Sequence, residues 1–382
     1  MAFRSHRAKQ NLVLISCLVV LLSLRSFAQP AMKAPFPHHF KVVELPLKPL
    51  HLSDSGEIVG TVENHRAAIW SEPRGLRTLP AVKGFARSEA RSSNQAGHVV
   101  GSVMDKDDSS FQAFVYAAGK LTLLPGRRGK ALAINDSGQI VGESTVKGKM
   151  AVTAVVWQKS SITDLGGCCG GVARAINNHG QVVGDMYDQE GRYRAFLWER
   201  VHGLQHFGPP ENYSTAIAIN DAGHVLVQEM EKGFFVYENK DKLTWLDIPK
   251  RELPQARAMN NADVVVGAFG PYSDAYRAFI WDEKHGFHDL NELIPAGSGW
   301  KLQDATWINN AEQIVGVGKH NGEDDVGFLL LPQEPDAQSN ATGAPEKKSS
   351  RIAEPGRSPS LLSLLPAAFC VLDSPRFHHL FS

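Results

Sequence analysis

Short apolar runs of four or five residues fill the chain from about residue 40 to residue 331. Polar clusters rich in Gly, Asn, Asp and Pro separate them. Runs that are β-branched or aromatic and bounded by turn residues predict strands. No stretch in this region keeps a 3.6-residue period long enough for a long amphipathic helix. One phrase recurs: an apolar residue, Asn, two turn residues, Gly, any residue, two apolar residues, Gly. Its clearest copies run from Ile134-Asn135 to Gly142 and from Ile176-Asn177 to Gly184. Looser copies surround Asn94, Asn220, Asn260 and Asn309, and a seventh has Ser53 in the Asn place. The anchors are spaced by 41, 41, 42, 43, 40 and 49 residues. That period marks a repeat architecture.

Each anchor is followed by a second type of run, such as Ala113-Phe114-Val115-Tyr116, Ala195-Phe196-Leu197-Trp198 or Ala278-Phe279-Ile280-Trp281. A third follows, such as Leu121 to Leu124 or Ile162 to Leu165. With the strands on either side of the anchor, each unit holds four strands, here labelled a, b, c and d. Four strands per roughly 40 residues predict the blade of a β-propeller. The expected fold is all-β, a seven-bladed propeller over residues 40–331. Only six d strands follow a c strand, because the pattern stops after Leu330. The seventh is Val42 to Leu45, upstream of the first anchor. The last blade is therefore expected to take its outer strand from the N-terminal end, closing the ring beside Gly327 to Leu330 and leaving no free edge between the termini.

Local chemistry supports the same units. Asn135 with Asp136-Ser137-Gly138 is hairpin-turn chemistry: the Asn side chain caps and the Gly takes positive φ. Asn260-Asn261-Ala262-Asp263 and Asn309-Asn310-Ala311-Glu312 lack that Gly, so looser turns are expected there. Period-2 alternation puts Ala131 with Ala133, Ala173 with Ala175, and Ala216 with Ala218 on one face of the innermost strand. Small residues suit the place where blades converge, and the strand c aromatics fill the wider space outside.

The first 28 residues read differently. Arg4, Arg7 and Lys9 precede an apolar run from Leu12 to Leu24 and then Ser26-Phe27-Ala28. This is the layout of a signal peptide, with cleavage expected after Ala28. The run is too short for a comfortable membrane span, and no stable transmembrane segment is expected after cleavage. The address is secreted or periplasmic. The whole chain has 40 Lys+Arg and 40 Asp+Glu; removing the four basic residues of the leader leaves 36 against 40, a net charge of −4. That balance argues against nucleic acid as a partner. Beyond Gln333 the composition turns polar and rich in Pro, Ser, Ala and Lys, so residues 333–382 are expected to be a disordered linker and tail. Leu361 to Leu372 is apolar but too short to span a bilayer.

The combination Ile162-Thr163-Asp164-Leu165-Gly166-Gly167, then Ala173-Arg174-Ala175-Ile176-Asn177 through Gly184, then Ala195-Phe196-Leu197-Trp198 resembles the HAF-repeat family of bacterial extracellular proteins. The resemblance covers residues 40–331. One feature departs from it: the His before Ala-Phe is replaced by Arg66, Gln112, Thr153, Arg194, Gly233, Arg277 and Val326 in the seven units. The resemblance implies an exported repeat protein and brings no catalytic residues.

Candidate chemistry is sparse. Cys168-Cys169 lies between glycine pairs in a d-to-a connection; in an oxidising compartment it could close a vicinal disulfide, and the alternatives are two free thiols or a metal site lacking local co-ligands. Arg91, Arg174 and Arg257 each stand three residues before an anchor, in alternate units. Seven-fold geometry would hold them at one height near the axis, either as a cationic funnel for an anionic ligand or each paired with a local acid or carbonyl. Tyr213 and Trp300, in d-to-a connections, are candidates for stacking on sugar rings or for packing over a neighbouring loop. Asp105-Lys106-Asp107-Asp108 and Glu323-Asp324-Asp325 lack the full calcium-loop pattern and read as solvated tips. No Ser-His-Asp set, Gly-x-Ser-x-Gly or HExxH is visible, and no cofactor or metal is implied. The expected function is a non-catalytic binding or interaction module, monomeric, for a glycan or an anionic small ligand. The alternatives are a carbohydrate-active hydrolase or lyase with carboxylates in the central pocket, or a structural cell-surface protein.

Overall fold

The apolar runs become strands because each can bury one side against a neighbouring blade. The computed structural model describes residues 36–333 apart from 108, 168–169, 207–211, 250–251 and 273–274. It contains seven four-stranded antiparallel sheets. Blade 1 is β2–β5 (Lys48–Leu52, Ile58–Val62, Arg66–Ser71, Gly75–Thr78). Blade 2 is β6–β9 (Arg87–Ser93, Val99–Met104, Phe111–Ala117, Lys120–Leu123). Blade 3 is β10–β13 (Arg127–Ile134, Ile140–Thr145, Thr153–Gln158, Ser161–Asp164). Blade 4 is β14–β17 (Gly171–Ile176, Val182–Tyr187, Tyr193–Glu199, Gly203–His206). Blade 5 is β18–β21 (Ser214–Ile219, Val225–Glu229, Gly233–Asn239, Lys242–Trp245). Blade 6 is β22–β25 (Gln255–Met259, Val265–Phe269, Arg277–Asp282, Gly286–Asp289). Blade 7 is β26–β28 (Trp300–Ile308, Ile314–His320, Glu323–Gln333) with β1 (His39–Leu45) as its outermost strand. The seven-bladed all-β propeller is the fold, and the splice closes it as expected: Val42 pairs with Leu330 and Leu45 with Gly327. Among the described residues no helix is long and apolar enough to cross a membrane. Residues 1–35, which include the segment expected to be a signal peptide, and residues 334–382, most of the expected linker and tail, lie outside the described residues.

The core is divided by blade boundary. Between blades 2 and 3, Val100, Ala113 and Leu124 meet Ala131, Ile140, Val155 and Trp157. Between blades 3 and 4, Val141, Ala154 and Leu165 meet Ala173, Val182, Met186 and Phe196. Between blades 7 and 1, Val315 and Leu329 meet Leu47, Leu52 and Ile58. The strand c aromatics Phe114, Trp157, Phe196, Trp281 and Phe328 are almost fully buried, one in each of five seams around the ring. Burying such side chains contributes roughly 1.5–3 kcal/mol each, so the seams between sheets hold the ring together.

The small residues of strand a depart from simple alternation. Ala131 packs in the seam toward blade 2, whereas Ala133 packs in the seam toward blade 4. Ala173 and Ala175 divide in the same way, as do Ala216 and Ala218. A β-bulge between the two alanines inserts one extra residue and reverses the parity.

The anchor asparagines tie the blades to one another. Asn135 Oδ1 accepts from the backbone N–H of Gln139 at 2.9 Å, which caps its own hairpin. Its Nδ2 donates to the carbonyl of Asn177 in the next blade at 3.0 Å. Asn94 bonds Asn135 in this way, Asn177 bonds Asn220, Asn220 bonds Asn260, Asn260 bonds Asn309, and Asn309 bonds Ser53. A second ladder runs outside the first, through backbone N–H donors and the side chains that follow the anchors: Gln95 to Asp136, Asp136 to Asn178, Asn178 to Asp221, Asp221 to Asn261, Asn261 to Asn310, and Asn310 to Asp54. The turns without Gly are not looser. Asp263 and Glu312 take the left-handed conformation themselves, at φ 60° and 55°, and close the same hydrogen bonds as Gly138 does. The anchor's side chain and the ladders fix that turn whatever residue completes it.

Candidate functional site

A bulge turns its extra residue away from the sheet ladder. Every innermost strand carries one at the same place: between Pro49 and His51, Ala90 and Ser92, Ala131 and Ala133, Ala173 and Ala175, Ala216 and Ala218, Ala256 and Ala258, and Ala305 and Trp307. The extra residues are Leu50, Arg91, Leu132, Arg174, Ile217, Arg257 and Thr306, and all seven line the channel along the propeller axis. Around the ring aliphatic and cationic side chains alternate until Thr306 closes it. The Thr306 hydroxyl donates to the Pro49 carbonyl at 3.0 Å. The Gly that ends the repeated phrase sits beside the bulge. A Cβ on Gly142 would lie 1.9 Å from the Lys130 carbonyl oxygen, and one on Gly184 would lie 1.9 Å from that of Val172. Blade 5 is the exception, with Val227 opposite Ala216.

The channel has two mouths. The wide one, of about 1030 Å³, opens on the face that carries the b-to-c turns and d-to-a connections. The turn from Glu229 to Gly233 and Leu253-Pro254 form part of its rim. The narrow one, of about 200 Å³, opens among the anchor hairpins. Leu132, Arg174, Ile217 and Trp307 line both, so they form a waist.

The three arginines predicted at one height do share the wide mouth, and each also has an acid. Arg91 Nη2 lies 3.0 Å from Glu89 of its own strand. Arg257 grips Asp304 of the next blade with two bonds, Nε at 3.2 Å and Nη2 at 2.9 Å. Arg174 donates from Nε to Asp185 on the neighbouring strand β15. Asp185 is fully buried, and burial pushes its carboxyl above the usual range against the opposing pull of Arg174. Tyr193 lies beside it, its hydroxyl pushed up to about 12 by burial and then by the Asp185 charge. Near the waist, burial holds the His51 imidazole down to about 3, so it is neutral. Its Nδ1 faces the backbone N–H and hydroxyl of Ser93 at 3.4 Å, and its ring lies 4.4 Å from that of Trp307.

The other candidates fall elsewhere. Tyr213 is half exposed in the connection before β18 and does not line the channel. Trp300 is the first residue of β26 rather than part of a free loop. The His320 imidazole covers one of its faces, at 4.3 Å and 5°. Cys168 and Cys169 lie outside the described residues. Among the described residues no group of three His, Cys, Asp or Glu is placed to hold a metal. The repeat pattern did not point to Asp185 or Asp304, which reach the arginines from positions 11 and 47 residues further along the chain. Nor did it point to Met230 and Leu253, which stand exposed on the wide rim.

No family model and no curated protein matches the sequence. Solved propellers resemble the structure. YCF48 bound to D1 peptide is 12% identical over 79% of this chain and 99% of that one, at a TM-score of 0.50. Virginiamycin B lyase from Staphylococcus aureus is 11% identical over 76% of this chain and 99% of that one, at 0.49. The WD40 propeller domain of Doa1 is 12% identical over 80% and 99%, at 0.47. At such identity the likeness to YCF48 concerns the fold alone: the chain shares its propeller architecture with a protein whose structure was solved around a peptide.

Proposed function

We propose that the chain is an exported HAF-repeat propeller acting as a binding module, with the wide mouth of the axial channel as the site for an anionic ligand. The observation that carries this is the ring of seven bulged residues. A rigid circle of sheets aims one side chain per blade at the axis, and Arg91, Arg174 and Arg257 are three of the seven. Side chains fixed by a scaffold lose little freedom on binding, which favours recognition. The neighbour YCF48, of the same fold, is seen bound to a peptide. Two of the three carboxylates on the wall are engaged: Arg257 holds Asp304, and Lys232 lies 2.7 Å from Glu229, which leaves Glu231 as the third. That supports binding over carboxylate acid–base chemistry as the task of this mouth. Export rests on the charge, apolar and small-residue pattern of residues 1–28.

The test is a binding screen of the full chain against uronate oligosaccharides, carboxylate-bearing peptides and small organic anions. Replacing Arg91, Arg174 and Arg257 together by Glu is expected to abolish whichever anion binding is found. Anion binding that survives the triple reversal would refute the site. Turnover of a polysaccharide in the same screen would favour the enzyme instead.

A further inference from the structure

A carboxylate receptor needs donors that are oriented and free, and the three channel arginines differ in what they have left. Arg257 commits Nε and Nη2 to Asp304. Arg91 turns Nη2 to Glu89. Arg174 is held by Nε alone, and its terminal Nη1 and Nη2 carry no hydrogen bond among the described residues. Its anchor Asp185 is fully buried, so the guanidinium is fixed at its root and offers its outer pair of nitrogens. That pair matches the two oxygens of a carboxylate. Arg174 is also the arginine that lines both mouths, which places it at the waist.

The surroundings narrow the class of ligand. The flanking bulged residues, Leu132 and Ile217, are aliphatic and also stand at the waist. At the waist the hydroxyls on a sugar's adjacent carbons would meet Leu132 and Ile217, whereas a peptide carries its polar backbone up into the wide mouth, where Thr215, Gln228 and Gln255 line the wall. Neither Tyr213 nor Trp300 lines the channel, and the aromatic ring at the waist, Trp307, packs against His51 at 4.4 Å and against the seams on both sides of its blade. Above the waist the cavity of about 1030 Å³ reaches the upper end of the range for small-ligand pockets, and its rim exposes Met230 and Leu253. On the wall Arg91, Arg174, Lys232 and Arg257 are nearly balanced by Glu229, Glu231 and Asp304, so directed hydrogen bonds count for more here than long-range attraction.

The geometry points to a peptide that enters the wide mouth C-terminus first and ends in an aliphatic residue. Its terminal carboxylate meets Nη1 and Nη2 of Arg174, and its last side chain lies against Leu132 and Ile217. This rests on the reading of the channel as an anion-binding site. Fluorescence anisotropy of the full chain with labelled hexapeptides of randomised sequence ending in Leu tests it. The same pool amidated at its C-terminus, oligogalacturonate and isovalerate serve as comparison probes. The free-acid pool is expected to bind, and amidation to weaken it about tenfold or more, as loss of a charge-assisted pair should. R174K and R174Q should weaken it to a similar extent, and R257Q by about threefold or less, with thermal melts showing that each variant folds. Indifference to amidation, or equal losses in R174Q and R257Q, would overturn the inference. So would isovalerate alone matching the peptides, which would make the site one for small aliphatic acids. If oligogalacturonate binds through the arginines and the peptides do not, the inference falls while the channel remains an anion site. If no probe binds, both readings fall.

Discussion

At the scale of one residue, the anchor Asn does two jobs with one amide. Its oxygen caps the hairpin it sits in, and its nitrogen holds the carbonyl of the next anchor. The first job can be read from Asn135-Asp136-Ser137-Gly138, because the cap and its target are four residues apart. The second cannot, because the acceptor lies one whole repeat away and becomes a neighbour only when the ring closes. Ser53 provides a natural control: its hydroxyl accepts from the Glu57 N–H at 3.0 Å, but its short side chain keeps only the cap. Asn135→Ser should therefore cost about 1–2 kcal/mol, because it loses both bonds of the amide nitrogen, the link to Asn177 and the bond to Gln139 Oε1, and keeps the cap. Asn135→Ala loses the cap as well and leaves the Asn177 carbonyl and the Gln139 N–H without their partner, so about 2–4 kcal/mol is expected. Urea melts of the two variants check the order; equal losses would mean that the link between blades contributes nothing.

At the scale of the element, the bulge explains both what the sequence shows and what it conceals. Position three before the anchor stood out because arginine occupies it in alternate units, and the structure does bring those arginines into one channel. The facing of Ala131 and Ala133 is not legible from the sequence, because period-2 alternation holds only for an uninterrupted strand. The Val-Gly ending shared by six of the seven repeats carries the hidden information: a Gly is placed where a carbonyl from the bulged strand comes closest. Gly142→Ala should force that carbonyl aside and cost about 1–3 kcal/mol, as overpacking does. Gly138→Ala meets open space at φ +73°, so only the left-handed strain of about 1 kcal/mol is expected. Thermal melts distinguish the two, and a Gly138→Ala loss as large as that of Gly142→Ala would remove the steric account. Val227 shows that one blade has been built around a side chain at this place, so a local shift rather than unfolding is the expected response.

At the scale of the whole molecule, the splice of β1 onto blade 7 looks like the weak point of the ring, yet the anchor ladders place their gap elsewhere. The boundary from blade 7 to blade 1 keeps both ladder links, Asn309 to Ser53 and Asn310 to Asp54. The boundary from blade 1 to blade 2 has neither, because Ser53 is too short to reach Asn94 and Gln95 replaces the Asp or Asn found in the other blades. At that level His51 faces Ser93 at 3.4 Å, beyond the usual hydrogen-bond range, and the seam is joined further out by Ser88, whose hydroxyl accepts from the Ala67 N–H and whose own N–H donates to the His65 carbonyl, each at 2.9 Å. His51 is also the group that makes this seam sensitive to acid. Its folded pKa of about 3 lies below the ordinary 6.5, so the unfolded chain binds the proton more readily than the folded one. The stability tied to the neutral imidazole is complete above pH 6.5. It declines by about 1.4 kcal/mol per pH unit on the way down toward 3, where the loss levels off. Hydrogen exchange corrected for intrinsic rates should therefore find the amides of β2 and β6 opening at lower free energy than those of β10 and β14, with the difference widening from pH 7 to pH 5. His51→Leu removes the titration and should abolish the widening. Ser53→Asn supplies the missing donor and should narrow the difference at pH 7 by about 1 kcal/mol. If β1 and β28 exchange first at both pH values, the ring opens at its splice and the hydrogen-bond ladders do not decide where it yields.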